Sequence, residues 1–216
     1  MKKACIFDLD GTLIYSLVSI AEAGNRMLAH FGYPPEPEAA YGYYCGEGAD
    51  KLVERILFKN EDHDPAHYEE GCRVFRGIIK DLASYGVYAY EGVPAMLTAL
   101  KAAGVKLAVC TNKPDNAAQK AVRDMFGEQF DYICGQKPGL RLKPSPDAPL
   151  HIAEELGVTP EECLYIGDTA TDMKTGKAAG MTTVGVLWGY RTYEELRDND
   201  ADIIIEKPAE IIALAV

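Results

Sequence analysis

Six short apolar runs recur along the chain, near residues 3–9, 105–110, 131–135, 162–166, 182–186 and 201–205. Runs of this length, rich in β-branched residues, read as buried strands. Patterns of helical period stand between them. Val93, Met96, Leu97 and Leu100 keep the i, i+3, i+4, i+7 spacing of an amphipathic helix over 92–103, and Gly104 suits its stop. Further helices are expected near 115–126, 146–156, 170–179 and 208–214, with Ser145-Pro146 opening the one at 146 as cap and first-turn residue. Strand and helix alternating in this way predict an α/β fold, a doubly wound parallel sheet.

The interval 15–83 breaks the alternation. It carries helical stripes (Ile20, Met27, Leu28, Phe31, then Leu52, Val53, Ile56, Leu57) and no convincing strand. Asp64-Pro65 is a cap and first-turn pair opening a third helix through Tyr85. The expected organisation is therefore a core of 1–14 and 84–216 with an inserted α-helical cap domain at 15–83.

Composition narrows the function classes. The 216 residues, 48% of them hydrophobic, are enough for one packed core with a modest insertion. A formal net charge of −11 argues against a nucleic-acid or anionic-membrane surface, which needs a basic face. It leaves room for an anionic substrate, because a metal ion and one or two lysines can reverse the sign locally. No stretch approaches the length of a membrane-spanning helix, and with Met1-Lys2-Lys3 running straight into the first strand no signal peptide is expected. Cys5, Cys45, Cys72, Cys110, Cys134 and Cys163 show no C-x-x-C spacing and read as reduced structural thiols of a cytoplasmic protein.

Residues with chemistry gather where strands end. Asp8 and Asp10 leave the first strand in Phe7-Asp8-Leu9-Asp10-Gly11-Thr12, and Thr111, Asn112 and Lys113 follow the second core strand. Lys143 comes after the third, and Asp168 follows Leu164-Tyr165-Ile166-Gly167, with Asp172 one helical turn later. Carboxyl ends of parallel strands are where open α/β sheets bind ligands, so these groups converge on one crevice. An aspartate there can serve as nucleophile, general acid or base, or metal ligand.

The order of these segments resembles the haloacid dehalogenase-like superfamily, whose phosphatases carry D-x-D-G-T, a Ser/Thr, a Lys and G-D-x-x-x-D motifs. They stand here as Asp8-Leu9-Asp10-Gly11-Thr12, Thr111, Lys143 and Gly167-Asp168-Thr169-Ala170-Thr171-Asp172, and span essentially the whole chain. Gly46-Glu47-Gly48-Ala49-Asp50 and Thr111-Asn112-Lys113-Pro114 are similar to the phosphoglycolate phosphatase-like branch with a helical cap. The resemblance implies hydrolysis of a small phosphorylated metabolite with Asp8 as nucleophile and Asp10 as acid and base. It implies Mg²⁺ held by Asp8, the backbone carbonyl of Asp10, Asp168 and Asp172. Thr111, Asn112 and Lys143 are implied at the phosphoryl group, and the cap loop Gly46, Glu47 and Gly48 over the leaving group.

Two positions depart from the branch: Tyr15 stands where Asp is usual and Glu47 where Asn is common. A Glu47 carboxylate aimed into the cavity would repel a leaving group that carries its own carboxylate, whereas pairing with Lys51 or Arg55 would remove the effect. A sugar phosphomutase, a pyrophosphatase or a non-catalytic binding protein on the same fold are the alternatives. Mutases of this type tend to carry Val where Thr12 stands and His where Ile20 stands, and a binding protein need not keep every motif. Lys113 reads equally as a surface lysine or a phosphate contact. His63 and His67 have metal-pair spacing but straddle a helix start. Tyr41, Tyr43 and Tyr44 read as packing within the cap, and Trp188-Gly189-Tyr190 as a loop closing over the sheet edge.

Overall fold

In the computed structural model, which describes residues 1–216, the first apolar run is β1 (Ala4–Phe7), buried at all four side chains. A two-residue strand β2 (Ile14–Tyr15) follows, then the helices α1 (Leu17–His30), α2 (Glu38–Tyr44), α3 (Ala49–Lys59) and α4 (Pro65–Asp81), and the short β3 (Tyr88–Ala89). Alternation then begins with α5 (Val93–Ala102), β4 (Lys106–Pro114), α6 (Asp115–Phe126), β5 (Tyr132–Gln136) and α7 (Asp147–Leu156). It ends with β6 (Cys163–Gly167), α8 (Ala170–Ala178), β7 (Thr182–Val186), α9 (Tyr193–Asp198), β8 (Ile203–Ile205) and α10 (Glu210–Ala215). Met1–Tyr15 and Tyr88–Val216 form one compact unit, and Ser16–Val87 a second.

The first unit holds a six-stranded sheet in the order β5-β4-β1-β6-β7-β8, parallel throughout. The order reverses at β1, which pairs with β4 on one side and β6 on the other. Phe7 stands beside Val109 and Ile166 in register. Asp8 and Asp168 therefore leave the sheet at neighbouring levels, at the switch point where such sheets bind ligands. Thr111 stands beside them but within β4, because that strand runs on to Pro114 rather than ending at Cys110.

Alternate residues supply the two faces. Ile6, Ala108, Cys110, Cys134 and Tyr165 form one core with Ile152, Ala153 and Leu156 of α7. On the opposite face Phe7 meets Phe130 edge-on, ring centroids 6.4 Å apart. Each large apolar side chain withdrawn from water in this way contributes roughly 1.5–3 kcal/mol. The α7 helix begins at Asp147, two residues past Ser145, whose hydroxyl accepts the Asp147 N–H at 3.3 Å.

The second unit packs around the expected stripes: Ile20, Met27 and Leu28 of α1, Leu52, Val53, Ile56 and Leu57 of α3, and Phe75 of α4 are buried. Asp64 caps α4, accepting the Ala66 N–H at 2.8 Å, with Pro65 in the first turn. This helix stops at Asp81 rather than at Tyr85, where the apolar stripe thins out. Tyr41 is buried with its hydroxyl on Asn25 Oδ1 at 2.9 Å, whereas Tyr43 is exposed. The two histidines do not share a ligand: His67 Nδ1 lies 2.8 Å from Asp62 Oδ2, and His63 packs on Phe58. All six cysteines are buried free thiols, and no helix is long and apolar enough to cross a membrane.

Candidate active site

Asp8 is the first residue beyond β1. Its N–H donates to Ile166 O of β6 at 2.9 Å, and its Oδ1 accepts from Leu9 N at 2.7 Å. Lys143 Nζ lies 2.8 Å from the same oxygen and 2.7 Å from Asp172 Oδ1, with the lysine side chain 2% exposed. Asp172 uses its other oxygen at the start of α8, accepting the Thr169 hydroxyl at 2.7 Å and the Thr169 N–H at 3.1 Å. One side chain thus both caps a helix and anchors the lysine.

Asp168, fully buried, accepts the Thr12 hydroxyl at 3.1 Å and the Tyr190 backbone N–H at 2.8 Å. Gly11, at φ +88°, and Gly189 lie so close to Asp168 that a Cβ on either would collide with its carboxylate. The loop Trp188-Gly189-Tyr190 therefore closes on the site itself. Trp188 Nε1 donates to Thr12 O at 2.9 Å, tying it to the β1 turn.

Asp8, Asp168 and Asp172 offer oxygens that all lie within 4.8 Å of one another. Burial raises the Asp8 carboxyl to about 7, with Lys143 opposing and Asp172 adding to the rise. Burial raises Asp168 further, to about 8, and Asp172 and Asp8 add to it. Burial alone would depress the Lys143 ammonium, but Asp172 and Asp8 outweigh it and hold it well above its ordinary value. When all four carboxyls are ionised they exceed the two ammonium groups, Lys143 and Lys113, by two negative charges. A hard divalent cation matches that excess and the all-oxygen donor set, so the residues fit Mg²⁺.

Asp10 pairs with Lys113, whose Nζ lies 2.9 and 3.0 Å from the two carboxylate oxygens. Thr111 is buried, and its Oγ accepts the Lys113 N–H at 3.2 Å, leaving the hydroxyl proton to be aimed elsewhere. Asn112, expected at the substrate, spends its amide on the lysine loop: Oδ1 accepts Lys143 N at 2.8 Å and Nδ2 donates to Lys143 O at 3.2 Å. A buried amide with two backbone partners is a brace, and it sets where Lys143 starts. Thr12 and the Tyr190 N–H escaped the sequence reading. Thr12 carried the only signal, as the last residue of the D-x-D-G-T motif.

Gly46, Glu47 and Gly48 lie in the second unit, just before α3. Glu47 Oε1 pairs with Arg55 Nη2 on α3, and Arg55 Nη1 also donates to Tyr44 O at 3.1 Å. The structure therefore has the paired arrangement, under which Glu47 carries no isolated charge.

The family profile of haloacid dehalogenase-like hydrolases matches residues 2–180. A phosphoglycolate phosphatase of Pseudomonas putida is 34% identical over 210 residues, covering 95% of this chain and 77% of that protein. One from Rhodospirillum rubrum is 36% identical over 197 residues, covering 88% and 81%. Among solved structures, CbbY from Rhodobacter sphaeroides in complex with phosphate superposes with TM-score 0.81 at 26% identity, covering 98% of this chain and 97% of that one. With its D-x-D motif, buried lysine and G-D-x-x-x-D turn brought together at the carboxyl ends of the central strands, the chain belongs to the haloacid dehalogenase-like hydrolases.

Proposed function

We propose that the protein is a Mg²⁺-dependent phosphatase that hydrolyses a small phosphate monoester of the phosphoglycolate type through an aspartyl-phosphate on Asp8. The observation that carries the reading is the buried Lys143 bound to both Asp8 and Asp172, beside Asp168. Substrate class rests on the relatives named phosphoglycolate phosphatase. The pairing of Glu47 with Arg55 removes the objection to a carboxylate-bearing substrate.

In this reading the Asp8 carboxylate attacks phosphorus, and the bond to the leaving alcohol breaks as Asp10 gives that oxygen a proton. Asp10 then takes a proton from water, which attacks the acyl phosphate, releases inorganic phosphate and restores Asp8. Lys143 and the Thr111 hydroxyl face the transferring oxygens and offset their charge. Leu9 N and Lys143 fix the Asp8 carboxylate before substrate arrives, so orientation costs nothing at the moment of reaction. Asp8, the Asp10 carbonyl, Asp168 and Asp172 would hold Mg²⁺, which when bound supplies positive charge for the dianionic phosphate.

Six buried thiols support a reducing, cytoplasmic setting. The test is turnover of 2-phosphoglycolate and a panel of phosphate esters, with Mg²⁺ and with EDTA. Hydrolysis that stops in EDTA is expected; full turnover in EDTA overturns the metal requirement. No turnover of any ester overturns the reading altogether.

A further inference from the structure

Two lysines divide the carboxylates of the site. Lys143 serves Asp8 and Asp172, whereas the Lys113 ammonium lies against both oxygens of Asp10, with 20% of the side chain exposed. Lys113 is the last residue but one of β4, and its N–H on Thr111 Oγ fixes the backbone from which it reaches. An ammonium has three donors, and two are used on Asp10.

Nucleophile and leaving group lie on opposite sides of phosphorus in an in-line displacement. Lys143 sits on the nucleophile, so the lysine beside Asp10 sits on the leaving-group side. If Asp10 protonates the leaving oxygen, that oxygen comes within about 3 Å of its carboxyl. A carboxylate one carbon beyond the oxygen then falls within reach of the Lys113 ammonium.

We propose that Lys113 recognises a negative charge on the leaving group, selecting phosphate esters whose alcohol carries a carboxylate over neutral esters of the same size. The proposal deepens, and rests on, the reading of the site as a phosphatase with Asp10 as the acid. An ammonium and a carboxylate form a charge-assisted hydrogen bond, which a neutral hydroxyl cannot match.

The probes are 2-phosphoglycolate and 2-hydroxyethyl phosphate, which differ in the carboxylate, each measured with wild type, Lys113→Met and Lys113→Arg. The wild type should prefer 2-phosphoglycolate. In Lys113→Met the ratio of the two kcat/KM values should fall at least about tenfold, mainly through KM for 2-phosphoglycolate, and Lys113→Arg should restore part of it. Product inhibition by glycolate should weaken in parallel, a readout that does not involve the acid step. Equal losses on both esters would mean that Lys113 acts only through Asp10, and would overturn the proposal while leaving the phosphatase reading intact. An unchanged ratio, or a wild type with no preference, overturns it equally. A wild type inert toward every ester would be the failure of the phosphatase reading itself, seen before any variant is made.

Discussion

The ammonium nitrogen of Lys143 stands 2.8 Å from Asp8 Oδ1, with both side chains withdrawn from solvent. Asp172 Oδ1 holds the same nitrogen at 2.7 Å. Removing the lysine leaves buried carboxylates without their counter-charge. Breaking a buried pair typically costs about 3–5 kcal/mol, because the remaining charge is uncompensated. Lys143→Met should therefore unfold at lower urea in EDTA at pH 8, and should lose less at pH 5, where the carboxyls can protonate. An equal loss at both pH values would show that packing, not charge, is what the lysine contributes.

The asparagine brace gives a second expectation. Asn112→Ala removes two buried hydrogen bonds to the Lys143 backbone. The stability cost should be about 1–3 kcal/mol. Displacing Lys143 by a fraction of an ångström or more should lower kcat by roughly 10- to 100-fold. A positioning role predicts that KM changes much less than kcat. If KM rises and kcat is kept, Asn112 touches substrate after all.

Asp8 and Asp168 contribute to the pH dependence of the metal-free protein between about pH 5 and pH 8. Their carboxyls are raised to about 7 and about 8 in the folded state, against about 4 in an unfolded chain. Between those values the folded state binds more protons than the unfolded one, so stability falls as pH rises. His67, raised by its hydrogen bond to Asp62, loses its contribution in the same direction as it deprotonates. In EDTA, Tm should decline from pH 5 to pH 8. Mg²⁺ should raise Tm more at pH 8 than at pH 5, since it binds the ionised carboxylates and competes with protons. A metal-free Tm that climbs over this range would contradict the assignment of buried, protonating aspartates.

Glu47 is expected to be silent in substrate choice. Its charge is matched by Arg55 on the same helical unit. Glu47→Gln should leave the kcat/KM ratio of 2-phosphoglycolate to a neutral sugar phosphate within about twofold, since exposed pairs contribute little. A tenfold gain for 2-phosphoglycolate would mean that Glu47 leaves Arg55 and turns toward the leaving group.

Strand positions were legible because each apolar run is short, β-branched and followed by a polar turn, and the parallel sheet follows from the helices between them. The two-residue pair of β2 and β3 and the short helices α2 and α9 carried no such signal. Local pattern is too brief there, and tertiary contacts such as the Tyr15–Tyr88 stack, 5.2 Å between centroids, decide the conformation. Within the site, Asp8, Lys143, Asp168 and Asp172 could be read from motif order, and the structure brings them together. The brace at Asn112 and the Lys113–Asp10 pair could not, because sequence does not say which neighbour a long or amide side chain will choose. The Tyr190 N–H that holds Asp168 is a backbone donor and has no side-chain signature at all.

The nucleophile assignment is tested most directly by trapping the covalent intermediate. Protein mixed with substrate and Mg²⁺ is quenched in acid within one turnover, digested and mapped by mass spectrometry. A phosphoryl group sensitive to hydroxylamine is expected on the peptide that carries Asp8, and Asp8→Asn should show neither the adduct nor turnover while keeping the fold. A phosphoryl group on another residue, or undiminished turnover by Asp8→Asn, would contradict the role given to Asp8.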